Sequence, residues 1–538
     1  MLRLTDIKLP LDHSNSDLET AILKKLGIQP EDLLGYTIVK RSYDARRKNE
    51  IKLIYTLNVD VRREKVFLRR IRKDNSVRHA PDTSYKFVVQ ALDNLKQHPL
   101  IVGTGPCGLF AGLLLAQMGF NPILIERGKP VRERTADTFG FWRQRKLDPE
   151  SNVQFGEGGA GTFSDGKLHT QIKDKRHLGR KVLRELVKAG AAEEILYISK
   201  PHIGTLKLVK IVERMRNNIQ DLGGEFQFQS RVDDLMIKDG QLRGVVLANG
   251  EKLHSNHVIL AIGHSARDTF QMLHKREVQI EAKPFSIGLR IEHPQTMIDK
   301  CRFGENAGNP ILGAADYKLV HHSSNGRSVY SFCMCPGGTV LAAASEPGTV
   351  VTNGMSQYSR NASNANSAIV VEVFPDDYPG SPLAGIDYQR EWEQRAYELG
   401  GGTYDAPGQL VGDFLAGCPS TKLGSVKPSY KPGVHLGDLS TSLPDYIIEA
   451  IREALPVFDK QIRGFMMADA ILTGVETRTS SPIRILRGRD FQSINITGLY
   501  PAGEGSGYAG GILSSAVDGI KVAEAVALSI TKAVKPEV

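Results

Sequence analysis

The chain has 538 residues, 41% hydrophobic and 24% charged, with a formal net charge of +9. That length calls for two or three domains rather than one core, and the composition excludes a disordered, collagen-like or membrane-embedded chain. The first residues lack a signal core or transit bias, making the cytoplasm the default location, and the five scattered cysteines suit reduced thiols rather than a disulfide framework.

Residues 1–97 read as a small basic α+β domain. Leu2 to Leu9 alternates like a strand, and Asp17 to Leu26 has a helical period, capped by Ser16 or Asp17 and closed by Gly27. Tyr36 to Ser42 and Ile51 to Val61 are strand-like around a charged turn at Asp44 to Asn49, and Glu64 to Ile71 suggests a second helix. This order fits a ferredoxin-like arrangement. Residues 1–98 hold 20 Lys or Arg against 13 Asp or Glu, which is most of the net charge. A basic lobe can meet nucleic acid, but the aromatic signature of RNA-binding sheets is missing, so a solvated surface is favoured.

From residue 98 the character changes. Leu100-Ile101-Val102 reads as a buried strand, Gly103-Thr104-Gly105-Pro106-Cys107-Gly108 fits G-x-G-x-x-G, and Leu109 to Met118 is an apolar helix. A second strand, Pro122 to Ile125, ends in Glu126 followed by Arg127, 18 residues after the third glycine. The glycines provide the tight turn, the backbone approach to pyrophosphate and the close helix–strand packing; the acid accepts from a ribose hydroxyl. Leu100 to Ile125 holds no charge, but its five glycines and two prolines exclude a membrane span.

Lys129 to Pro149 is charged and helical in pattern. Phe155 to Leu168 follows, and its Gly158-Gly159-Ala160-Gly161-Thr162 run is suited to an anion-binding nest. His177 to Ala189 and Ile203 to Leu222 read as helices. Phe226 to Phe228, Arg231 to Ile237, Gln241 to Leu247 and Lys252 to Leu253 form a β-meander with an Asn249-Gly250 turn, and Val258 to Ile262 returns as a buried strand. Residues 286–470, with short apolar runs and few long helices, read as an inserted, mainly antiparallel β domain. Residues 471–538 close the fold. Ile494 to Tyr500 is a strand, Pro501 to Gly511 a glycine-rich turn, and Ile512 to Ile530 a helix whose positive end faces something anionic.

This order resembles the FAD flavoproteins with two dinucleotide-binding domains, in their large single-nucleotide-domain branch. Phe155 to Leu168 and Cys335-Pro336-Gly337-Gly338 resemble the group called FAD-dependent dehydrogenases. The resemblance covers roughly residues 98–538 and implies an α/β, Rossmann-like FAD domain in two parts, 98–285 and 471–538, around the insert. It places Gly103, Thr104, Gly105, Pro106, Cys107 and Gly108 at the pyrophosphate and Glu126 at the ribose. It also sets Val232 against adenine, Ala261 and Gly263 on the Ala-x-Gly strand, and Gly503, Glu504, Gly510, Gly511 and Ile512 at the flavin end. Ile262 stands where the family usually has Thr, and Glu504 where it has Asp.

A resident FAD agrees with the residues, since the helix starting at Gly511-Ile512 can meet charge developing on a reduced ring. A second complete nucleotide motif is missing from the sequence, so NADH or NADPH as donor would dock transiently. Cys335 and His169 are the catalytic candidates, with Glu157 and Lys167 as further proton carriers. Cys107 fits as packing, and Arg478 as either a substrate-binding group or part of a domain-crossing loop. Cys333-Met334-Cys335 lacks a partner pair at metal-cluster spacing, so no metal is expected. The expected function is an FAD-dependent dehydrogenase or reductase acting on a small molecule between FAD domain and insert. The alternatives are a flavin hydroxylase and a flavin-bearing protein that binds or modifies RNA. The oligomeric state is open.

Overall fold

A computed structural model describes residues 1–538 except 63, 65–66, 68–73, 93–94, 96 and 535–538. Five short parallel strands form its central layer, in the order Leu499–Pro501, Val258–Leu260, Leu100–Val102, Ile123–Ile125 and Glu225–Gln227. Leu100, Ile101 and Val102 are all buried, because helices and loops cover both faces of a parallel sheet. The helix Pro106–Gln117 is apolar on every side, as a helix enclosed by sheet and helix must be. The C-terminal helix Ile512–Val534 crosses it closely at Gly519, where any Cβ would collide with the Cys107 carbonyl.

Beside this layer lies the three-stranded meander Val232–Lys238, Gln241–Leu247 and Lys252–His254. Its first turn, Asp239-Gly240, takes positive φ at both residues (53° and 69°), the conformation of a tight two-residue hairpin. The charged stretch after Glu126 forms the helix Val131–Gln144. The strand expected over 494–500 is confined to Leu499–Pro501.

The insert is built on one large sheet. Its seven-stranded sheet runs Val320–His322, Ser328–Cys335, Asn364–Val373, Phe285–Pro294, Ile471–Glu476, Ala406–Leu410 and Val434–Leu436, antiparallel except for the last pair. The central pair, Phe285–Pro294 with Ile471–Glu476, comes from the two crossover segments, so the sheet extends past both 286 and 470. Two long helices, Ala384–Leu399 and Asp445–Gln461, pack against this sheet. The second packs Ile447, Ile451, Leu455 and Phe458 into the core and tolerates Pro456 inside its last turns.

At the N-terminus, strands Leu2–Pro10, Leu33–Asp44, Lys52–Val61 and Val77–His79 form a separate antiparallel sheet in the order second, third, first, fourth. This is the ferredoxin-like strand order. The helix Asn15–Leu26 is capped by Ser14 rather than Ser16 or Asp17. The Asp17 carboxylate accepts the Ser14 N–H at 2.8 Å and the Ser14 hydroxyl accepts the Asp17 N–H at 3.2 Å, a reciprocal capping box. Most of the helix expected over Glu64 to Ile71 lies outside the described residues. The sheet docks through main chain: Arg41 N–H donates to the Tyr197 carbonyl and Ser199 N–H to the Arg41 carbonyl. Among the described residues, no helix is long and apolar enough to cross a membrane.

Candidate active site

The first glycine turn sits at the carboxyl end of Leu100–Val102, where ligands bind in open parallel sheets. Gly103 has φ +99°, and a side chain there would strike the Ala261 carbonyl on the neighbouring strand. Gly108 has no room for a Cβ against the Gly103 carbonyl. A helix therefore starts at once after the turn, with Gly105 as its N-cap and Pro106 in its first position.

A second loop crosses the first. Gly158 N–H donates to the Thr104 carbonyl at 2.9 Å, and a Cβ on Gly159 would stand 2.8 Å from the Gly105 Cα. Glu126 binds the two loops together. One carboxylate oxygen accepts the Thr104 hydroxyl at 2.7 Å and its N–H at 3.0 Å, and the other accepts Gly128 and Gly156 N–H, each at 3.0 Å. Arg134, wholly buried, shapes the same loop by donating to the carbonyls of Asn152, Val153 and Glu157. Arg127 stacks on Phe155 at 4.0 Å and pairs with Glu150 and Asp268.

These segments line one cleft of about 740 Å³, within the range of cofactor sites. Of the residues the sequence points to, Gly103, Thr104, Gly105, Pro106, Cys107, Glu126, Arg127, Gly159, Ala160, Gly161, Val232, Ala261, Gly263, Glu504, Gly510, Gly511 and Ile512 lie on its wall. Gly108, Gly158, Thr162 and Gly503 lie behind it; Gly503 N–H is taken by Asp518 at 2.8 Å. The Ile512–Val534 helix starts at the cleft, and its first N–H groups have no partner within the helix. Glu504 stands nearby. Burial raises its carboxyl to about 7, against the opposing effects of the Gly511 N–H and Lys283.

The insert supplies the facing wall through Tyr317, Phe332, Cys333, Met334 and Cys335. Both catalytic candidates of the sequence, Cys335 and His169, reach this cleft. Burial, then Lys167 and Lys200, lower the His169 pKa, and burial brings His264 down to about 4. Lys167 lies 3.0 Å from Asp165; burial opposes its charge, but Cys335 and Asp165 hold the ammonium above its ordinary value. Glu157 is off the wall: fully buried, it accepts from Val131 N–H at 2.7 Å and from Arg216 at 3.1 Å. Its place in sequence suggests a proton carrier, but those two partners give it a structural position.

Residues 284–479 match the family model described as FAD-dependent protein, C-terminal domain-like, and residues 1–60 match a domain of unknown function. An uncharacterized protein of Clostridium beijerinckii is 50% identical over 525 residues, spanning 97% of this chain and 98% of the relative. The chain belongs to the FAD-dependent protein family. Its Rossmann-like sheet and glycine motif agree with that membership. Similar solved structures include glycine oxidase from Bacillus cereus (11% identity, 80% of this chain and 95% of that one, TM-score 0.32). Another is L-amino acid deaminase from Proteus vulgaris (10% identity, 84% and 98%, TM-score 0.36).

The matched domain of this FAD-dependent protein also resolves Arg478. Its guanidinium holds Glu393 at 2.9 and 3.0 Å, Ser345 at 2.6 Å and Ser265 at 3.2 Å, so it ties the helix Ala384–Leu399 to the loop after the strand Val258–Leu260 while still touching the cleft. Sequence reading passes over Arg360, whose partner Asp165 is 195 residues earlier, and Tyr317, whose buried hydroxyl has no partner. Nothing local in the sequence marks either one.

Proposed function

We propose that this chain is a dehydrogenase or reductase that holds FAD extended along the cleft and works on a small molecule against the insert wall. One observation carries the reading. Segments as distant as 103–107, 159–161, 261–263 and 510–512 line a single cleft faced by the family-matched insert. Glu126, Arg127 and Val232 would hold the adenosine end, the two crossed glycine loops the pyrophosphate, and Glu504 with the Ile512 helix start the flavin end. The residues present fit the group. The glycine main chain leaves room where any Cβ would close the crossing, and the helix start offers unpaired donors to an anion.

When bound, FAD supplies two-electron chemistry, taking up or releasing a hydride. The protein's own part is to orient the substrate and manage charge. The helix dipole and N–H groups at Ile512 stabilise negative charge at the flavin end. Lys167, held charged by Asp165, fixes a positive group on the substrate side. His264 and His169, whose pKa values are lowered, favour the neutral imidazole form and offer a nitrogen to accept a proton. Arg478 and Glu393 keep the two walls in register.

The purified protein's visible spectrum, recorded alone and after anaerobic addition of NADH or NADPH, tests this directly. A flavin spectrum is expected, bleached by a nicotinamide donor if the electrons come from one. A colourless protein that takes up no added FAD would overturn the reading.

A further inference from the structure

The strand Ser328–Cys335 pairs regularly with Asn364–Val373 as far as Phe332, then a bulge intervenes before Cys335 meets Asn366. Inside the bulge Cys333 takes φ +44°, a left-handed conformation uncommon outside glycine and one that marks constrained positions. Bulges re-aim side chains, and this one sets both Cys333 and Cys335 on the cleft wall.

The surroundings of the two sulfurs are those of reactive thiols rather than of core filler. Cys335 is buried, donates to the Cys333 carbonyl at 3.2 Å, and has Arg290 Nη2 at 3.7 Å and Lys167 Nζ at 4.0 Å. Each sulfur lies within electrostatic reach of the other and of both cations. A cysteine serving only as a small hydrophobe sits among hydrocarbon; a sulfur between two cations is placed for thiolate chemistry. The Tyr317 hydroxyl, buried in the same wall near Ser367, makes no hydrogen bond of good geometry.

We propose that Cys333 and Cys335 form a second two-electron centre, closing into a disulfide by passing an electron pair to oxidised FAD in the cleft and reopening by taking it back. On closing, two S–H bonds break and one S–S bond forms. Two electrons and one proton go to the cofactor, and the second proton goes to water. Reopening reverses each change. Cys333 is the exposed sulfur of the pair and Cys335 the buried one, beside Arg290 and Lys167. The electron partner rests on the FAD reading above; the pairing of the sulfurs does not.

Two readouts test it. In the oxidised protein, differential alkylation with mass spectrometry is expected to find the 333–335 peptide two hydrogens lighter and closed to reagent, and open after reduction. Anaerobic dithionite titration of the FAD-loaded protein is expected to consume four electrons per flavin, falling to two in Cys333→Ser and in Cys335→Ser. A flavin-loaded wild type that takes up two electrons, with both thiols open to alkylation throughout, overturns the proposal without touching the FAD reading. A protein that closes the disulfide yet takes up no FAD overturns the exchange together with that reading. Because the wild-type titration is itself decisive, a serine variant that fails to fold does not remove the test.

Discussion

Gly159 and Gly105 meet main chain to main chain, with the position of a Gly159 Cβ only 2.8 Å from the Gly105 Cα. Gly159 also has φ +62°. Alanine there is strained twice, by a positive-φ extended conformation (φ 62°, ψ −170°) open essentially to glycine alone, at about 1–3 kcal/mol, and by pushing apart the loops that form the cleft floor. Gly159→Ala is expected to weaken FAD binding by at least about tenfold, or about 1.4 kcal/mol. Flavin fluorescence titration of the refolded apoprotein measures it, and unchanged affinity would remove the crossing from the cofactor site.

Among the described residues, Glu393 is the most heavily committed buried carboxylate. Fully buried, it accepts two bonds from Arg267 at 2.8 and 3.0 Å, two from Arg478 at 3.0 and 2.9 Å, and one from the Thr477 hydroxyl at 2.8 Å. Glu393→Gln leaves the buried Arg478 without a carboxylate in contact and Arg267 with Glu346 as its one charged partner. The expected loss is about 3–5 kcal/mol in urea unfolding. Burial alone would raise its pKa, but the two arginines hold it well below the ordinary glutamate range. Its contribution is therefore complete above the ordinary value of 4.5 and is lost as pH falls below it. A glutamine variant as stable as wild type at neutral pH would show the clamp to be dispensable.

The same residue explains part of what the sequence conceals. The βαβ unit is legible because its glycines, its apolar helix and Glu126 form a local pattern, each part fixed by the backbone next to it. The helix Ala384–Leu399 is not, because Gln389 and Glu393 lie on its buried side to meet Arg267 and Thr477 from distant segments. Polar residues on a core face erase the hydrophobic period that announces a helix. Pro456 hides the helix Asp445–Gln461 in a similar way, by reading as a breaker. Glu157 reads as a proton carrier until Arg216 and the Val131 N–H close over it. The cleft residues cluster because three glycine turns do, and sequence marks those turns; the facing wall depends on how the insert folds back, which sequence does not mark.

Thr104 gives both its hydroxyl and its N–H to one oxygen of Glu126. Thr104→Val keeps the shape and removes only the hydroxyl bond at 2.7 Å, leaving a buried carboxylate one donor short. A lost bond to a charged group costs about 1.5–3 kcal/mol. The thermal midpoint of the apoprotein is expected to fall accordingly, and FAD affinity with it, since the crossing of the two loops hangs on Glu126. A midpoint that holds while affinity falls would instead assign the hydroxyl to the cofactor directly.

Glu504 titrates in the opposite sense from Glu393, and in a different window. Burial raises its carboxyl from the ordinary 4.5 to about 7 in the folded chain. Between those values the folded state holds more protons than the unfolded one, so apoprotein stability falls as pH rises from 4.5 to about 7 and is level on either side. The group keeps some contact with the cleft solvent, so the loss is at most about 3 kcal/mol after discounting for screening. Glu504→Gln is neutral throughout and is expected to flatten this slope, gaining on wild type at about pH 8 and matching it at about pH 5. Urea unfolding of both apoproteins at the two pH values measures the difference. An equal gap at both would mean that the carboxyl ionises as an ordinary surface acid, leaving Glu504 without the apolar surroundings that the cleft gives it.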